Sequence, residues 1–311
     1  MINVSSQFLE TMELRQDFRE NAEITFLDGN KLVLGEQDFT LTNNGITDGA
    51  GANALPLGTA MSRTVQIELM NDKGQYEKYN FLGAKIRLYL TFPLLDGTTE
   101  KIEYGIYTVV TPEIYGTTVI VTASDDMYKT DVAYTTSLPF PATIKSMLRD
   151  CCTACKISLH TSDIPNGDFI VQEKPSGEYT HRQIIGYIAM IAGGNARINQ
   201  RGSLEIKAYQ FDYAASFHKL KKWKNLTIGA SDITVTGIQT NVRDKEGNET
   251  TILEGEEGYV LKIKNPLISG KEQQALSLIG EKLLHVSFRK FSGDHISYPL
   301  AEFMDLAEIT D

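Results

Sequence analysis

Three cysteines, Cys151, Cys152 and Cys155, fall within five residues and are the only cysteines of the 311-residue chain. Cys152 and Cys155 have the CxxC spacing of zinc knuckles and dithiol redox centres, where neighbouring sulfurs share a metal or exchange electrons. A structural zinc needs a second ligand pair, and no further cysteine exists to supply one. An odd, local set also gives no disulfide framework. Ile144, Met147, Leu148, Cys151, Cys152 and Cys155 recur at steps of three and four residues. That spacing draws one apolar stripe along a helix, so the thiols are expected to behave as small core hydrophobes, with metal or redox chemistry as the alternative.

The other reactive side chains show no constellation. His160, His181, His218, His285 and His295 are scattered without HExxH or HxH spacing, so a Cys/His nucleophile pair could arise only through the fold. No GxSxG elbow, Walker loop or dinucleotide glycine fingerprint occurs, and Gly193 and Gly194 follow a helical pattern where a phosphate loop would precede one. The basic run at 218–224 (HKLKKWK) could touch DNA or an acidic partner, but with four lysines in an acidic chain it reads as a solvated linker. Asp125 and Asp126, like Glu256 and Glu257, are sequence neighbours; on a strand they would point to opposite faces, which does not suit a glycosidase dyad. The expected catalytic, cofactor-binding and metal-binding residues are therefore none, and no cofactor is expected.

The elements that would position any site are mostly strands. Composition is ordinary for a folded protein, 41% hydrophobic and 23% charged, and 311 residues suggest two or three units. A net charge of −10 argues against general nucleic-acid binding, which needs clustered Lys and Arg. No window approaches the length of a membrane span and the N-terminus lacks a signal-peptide pattern, so synthesis in the cytosol and no membrane insertion are expected. Phe8, Leu9, Met12 and Phe18 suggest a lead-in helix in residues 1–22. Asp28-Gly29 between two β-prone runs signals a hairpin. The glycine-rich stretch 41–60 reads as a long exposed loop, an arm that could order on assembly. Alternation at Val65, Ile67 and Leu69, and at Ile86, Leu88 and Leu90, predicts strands over 64–69 and 85–92, with others over 100–110 and 119–123.

Three further helices are expected. The first opens at Pro141. The second is capped by Thr180 with Gln183 and stapled by Tyr179 with Ile184; the third is capped by Ser269 with Glu272. A hairpin at 196–208 follows the second, strands at 233–241, 249–254 and 259–263 precede the third, and a strand-like part covers 296–309. The fold class is thus mainly β with an α+β insert: a first β-barrel-like domain at 23–138, a small helix-hairpin domain at 139–210, and a second β-barrel-like domain at 211–311 that is incomplete at its C-terminus.

Residues 24–32 (ITFLDGNKL), 54–60 (ALPLGTA), 104–109 (YGIYTV), 141–153 (PATIKSMLRDCCT), 179–189 (YTHRQIIGYIA) and 196–207 (ARINQRGSLEIK) resemble phage and prophage tail proteins of Gram-positive hosts. These are tail-tip hub proteins, similar in fold to contractile-phage baseplate hubs and to the N-terminal part of tail-associated lysins. The resemblance implies a homotrimer whose two barrels alternate around a ring, joining the tail tube to the tip and bounding a channel for DNA or the tape-measure protein. Expected partners are itself as a homotrimer, the distal tail and tail tube proteins, and the tape-measure protein; DNA would pass through the lumen without specific binding, and the protein would be assembled into the virion tail. A lytic or receptor-binding domain often follows such a hub, but the sequence stops at Asp311, so no enzymatic activity is carried over. A receptor- or carbohydrate-binding module of the tail tip is the alternative, and a peptidoglycan hydrolase a third.

Overall fold

The Asp28-Gly29 turn closes a hairpin in which Thr25 faces Lys31, with Gly29 at φ +85 and the Asp28 carboxylate accepting the Asn30 backbone N–H at 2.9 Å. The computed structural model describes residues 2–42, 44–49, 55–111, 114–209, 218–220, 223–243, 246–295, 298–305 and 307–309. It is mainly β, with four α-helices.

The N-terminal sheet has eight strands: β1 (Arg19–Thr25), β2 (Lys31–Leu34), β3 (Gly45–Thr47), β4 (Thr64–Met70), β5 (Lys85–Pro93), β6 (Thr99–Val109), β7 (Ile114–Tyr115) and β8 (Thr118–Ser124). Their order is β2-β1-β5-β6-β8-β4-β3, with β7 pairing β8. Alternation works as the sequence predicts: Val65, Ile67 and Leu69 face Ile24, Ile86, Tyr107 and Val121 in one buried cluster. Among the described residues no pairing joins β2 to β3, so the pairings show an open sheet.

Helix α1 (Ser6–Leu14) is shorter than the expected lead-in, because β1 already begins at Arg19 and pairs with β5. Phe8 is fully buried, 4.8 Å from Phe92, in a second cluster that also takes Leu300 from far along the chain. The 41–60 stretch is not wholly a loop: β3 pairs with β4, and the backbone near residues 58–61 is bonded to a later strand; residues 43 and 50–54 lie outside the described residues.

The middle of the chain holds β9 (Ala142–Thr143), α2 (Ile144–Ala154), β10 (Ser158–Leu159), β11 (Ile170–Val171), α3 (His181–Ile191), β12 (Gly194–Ile198) and β13 (Ser203–Ala208). Thr143, not Pro141, opens α2, its hydroxyl accepting from the Ser146 N–H. Thr180 and Gln183 form the expected reciprocal capping box on α3, and Gly193 at φ +72 lets the chain turn into β12.

Then come β14 (His218–Leu220), β15 (Trp223–Ile228), β16 (Ile233–Arg243), β17 (Glu249–Gly255), β18 (Tyr259–Lys262), α4 (Glu272–Leu283), β19 (Ser287–Phe288), β20 (Phe291–His295) and β21 (Ala307–Ile309). The α4 cap differs from expectation: Lys271 holds the cap position without a side-chain bond, and the Glu272 carboxylate instead accepts from the Gly270 N–H. The 296–309 part is not one strand: residues 298–305 are irregular, and among the described residues only β21 pairs, in parallel with β14. Ile184, Ile188, Val235, Ile238, Leu276 and Ile279 belong to one apolar cluster, so α3, α4 and β16 share a core.

Candidate functional site

The thiols sit where the helical stripe predicted. Cys151, Cys152 and Cys155 are 0%, 4% and 7% exposed, within the core that α2 shares with α3. Burial pushes all three thiols up, Cys152 to about 12 with Cys155 adding to the effect, so they stay protonated and poorly nucleophilic at neutral pH. His181, at the start of α3, lies edge-on to Tyr134 with ring centroids 5.1 Å apart. Burial pushes its imidazole below the ordinary value, against the pull of Asp150. His160 and His285 are exposed, and the side chains of His218 and His295, like Lys221 and Lys222 of the basic run, lie outside the described residues. Among the described residues no three His, Cys, Asp or Glu side chains stand together as metal ligands.

The carboxylates behave differently from expectation. Asp125 is not on a strand; it caps the 3-10 turn Asp126–Thr130, accepting from the Met127 N–H at 3.1 Å. It also accepts from the Arg63 N–H at 2.9 Å and the Ser62 hydroxyl at 3.0 Å, with the Arg63 Nε 3.8 Å away. Burial pushes its carboxyl up, against those N–H groups and the Arg63 charge. The Arg63 guanidinium reaches on to the Ile198 carbonyl at 3.0 Å, so a side chain beside the N-terminal sheet grips the β12 strand.

Around this grip lies a seam of buried charge. Arg197 on β12 faces Glu205 on β13, with Nε to Oε1 at 2.6 Å, and its other nitrogen meets Glu302 at 3.2 Å. Burial works against the Arg197 charge, but Glu302 and Glu205 outweigh it and hold the guanidinium above its ordinary value. Lys207 of β13 binds Asp305 at 2.5 Å and the Phe303 carbonyl at 3.1 Å. The segment 298–305 is thereby strapped to the hairpin, while Leu300 enters the α1 cluster and the Pro299 carbonyl accepts from Tyr104 at 2.9 Å. Backbone bonds complete the seam: Gly58 N–H to Gly194 at 2.9 Å, Ala196 N–H to Thr59 at 2.8 Å, and Met61 N–H to Ala196 at 2.9 Å.

The arrangement spends its charges on one another. What it does is lock the N-terminal sheet, the β12-β13 hairpin and the 298–305 strap into one fixed relation. Sequence reasoning passed over Arg63, Arg197 and Glu302. The available signal was Arg197 between Ala196 and Ile198, a cation set into an apolar strand directly across a tight hairpin from Glu205.

The 43 kDa tail protein of prophage MuSo2 from Shewanella oneidensis superposes on this chain with a TM-score of 0.51 at 12% identity, over 94% of this chain and 89% of that one. In fold, the chain resembles a prophage tail protein. A chain of the half-lidded Francisella PdpA-VgrG complex is matched at a TM-score of 0.45 and 8% identity, over 80% of this chain and 43% of that one. No protein-family model matches the sequence, and no curated protein does. The likeness to the MuSo2 protein runs through the N-terminal sheet, the helix-hairpin region and the C-terminal strands together, because 94% coverage leaves little of the chain outside it.

Proposed function

We propose that this protein is a structural component of a phage or prophage tail, at the tip or baseplate hub. The observation that carries the reading is the fold likeness to the MuSo2 tail protein along nearly the whole of both chains. In this reading the β-rich regions 23–138 and 211–311 act as the two barrel-like modules and 139–210 as the insert between them. Three copies form a ring whose neighbours complete open sheet edges such as β2 and β17. The ring joins the tail tube to the tip, meets the distal tail and tape-measure proteins, and bounds the channel. A net charge of −10 suits a wall that DNA passes without adhering.

The seam has a place in this reading, because a module that transmits load between neighbours has to hold its own parts rigid. Sedimentation equilibrium of the purified chain, followed by negative-stain imaging, is the test. The expected result is a species of three times 34.6 kDa that appears as a ring. A monomer at every concentration removes the ring, and cleared zones on a peptidoglycan zymogram would replace the structural role with a lytic one.

A further inference from the structure

β16 outruns one of its partners. Along one edge it pairs with β17 as far as Arg243 opposite Glu249, but along the other its last pair with β18 is Gln239 with Lys262. There the chain leaves the sheet: the Ile263 N–H still reaches the Gln239 carbonyl at 2.7 Å and the Thr240 hydroxyl the Ile263 carbonyl at 2.9 Å, after which Pro266–Ile268 turns away. Backbone groups on a strand alternate sides, so Asn241 and Arg243 direct their N–H and C=O the same way as Gln239. Among the described residues no strand takes them on that side.

The space beside this free edge is a cleft of about 710 Å³. Its far wall is aromatic, Tyr179 and Tyr187 standing edge to face with centroids 5.7 Å apart. The wall is fixed in advance, because the buried Asn265 amide donates to the Tyr187 carbonyl at 2.9 Å and its oxygen accepts from the Leu267 N–H at 2.9 Å. Arg243, Lys262 and Lys264 line the cleft, all exposed, and none has an ion-pair partner among the described residues. The two acids there, Glu249 and Glu272, already accept from Asn241 and from the Gly270 N–H. Three cations without an ion-pair partner, against two acids, leave this notch with a positive balance on a chain of net charge −10.

The geometry points to a docking site for an extended, acidic segment of a partner polypeptide, which adds as a short strand to β16 at Asn241 and Arg243. The strand hydrogen bonds supply the alignment, alternate aliphatic side chains lie against Tyr179 and Tyr187, and the carboxylates between them meet Arg243, Lys262 and Lys264. The inference stands on the cleft alone and holds whether or not the chain is a tail component.

The test is fluorescence anisotropy on the full chain with a labelled peptide alternating glutamate and valine. Saturable binding is expected, lost when alternate peptide nitrogens are methylated, because methylation removes the strand hydrogen bonds and keeps the charge. Arg243→Glu combined with Lys264→Glu should weaken it by about tenfold, as reversal of two exposed charges predicts, and should favour the lysine-valine counterpart. Both side chains are exposed, so far-UV circular dichroism should be unchanged, and Lys262→Glu gives an independent, smaller loss. The inference is overturned by no saturable binding at millimolar peptide, by binding indifferent to methylation or to charge reversal, or by a chito-oligosaccharide competing the peptide away. It is equally overturned if the reversal changes only the chain's mass in solution, which would make the occupant a second copy.

Discussion

Replacing Arg197 with methionine isolates what the charged seam contributes. The Arg197 and Glu302 side chains are 8% and 9% exposed, so a carboxylate left behind cannot regain its water. Removing one member of such a pair costs about 3–5 kcal/mol. Glu302 keeps the Gln200 amide as a donor and Glu205 is 19% exposed, which places the expected cost near the lower end, about 3 kcal/mol. For a cooperative unit of 311 residues that corresponds to a fall in Tm of about 5 °C. Scanning calorimetry at neutral pH measures it. Adding salt should not restore the loss, since buried charges are poorly screened. The double variant Arg197→Met, Glu302→Leu removes both buried charges and should melt above the single variant, because an apolar pair of similar volume is tolerated where a lone charge is not. A single variant within about 1 °C of the parent, or a double variant less stable than the single, refutes the claim that these charges hold the hairpin to the strap.

Other consequences are open to measurement. His181 is held neutral by burial, its folded value below the ordinary one, so the unfolded chain binds the extra proton first; stability is full above the ordinary histidine range and is lost as pH falls through it. His181→Gln should flatten that slope by up to about 1.4 kcal/mol per pH unit, and urea titrations with parallel slopes in both proteins would discount the effect. Cys151, Cys152 and Cys155 should resist a thiol reagent in the native state and react together once the chain is unfolded; rapid native labelling contradicts their placement in the core. Leu300→Ala, at a residue 1% exposed, should cost about 2–4 kcal/mol and speed proteolysis of the 298–305 strap ahead of the rest; uniform cleavage kinetics would show that the strap is not held there.

Local signals in the sequence carried the elements well, for physical reasons that can be named. The Asp28-Gly29 turn, the alternation at Val65, Ile67 and Leu69, and the Thr180-Gln183 box depend on neighbours within a few residues, and all three appear as read. The apolar stripe of α2 buries its cysteines for the same reason. The reading failed where an element is fixed by distant chain. Leu300 looks like part of a strand until Phe8 and Phe92 are in place to receive it. Glu302 and Asp305 are ordinary acids in sequence, and only the fold sets them against Arg197 and Lys207. Asp125 shows the same limit, its capping role depending on the turn after β8 and on Arg63, which no periodicity foretells.

One glycine ties the seam to the fold through close backbone approach. A methyl group on Gly194 would stand 2.1 Å from the Lys207 carbonyl oxygen and 2.5 Å from the Ala208 Cα, both backbone, so relief requires the β12-β13 hairpin itself to open. The Gly194 carbonyl also receives the Gly58 N–H, so opening the hairpin loosens its hold on the chain leading into β4. Gly194→Ala is therefore expected to cost more than the usual alanine penalty, about 2 kcal/mol or more, and to reduce hydrogen-exchange protection at Met61 and Ala196 along with Lys207. Exchange that quickens only within the hairpin would mean that the N-terminal sheet is held to it chiefly by Arg63 and the strap, with the backbone bonds secondary.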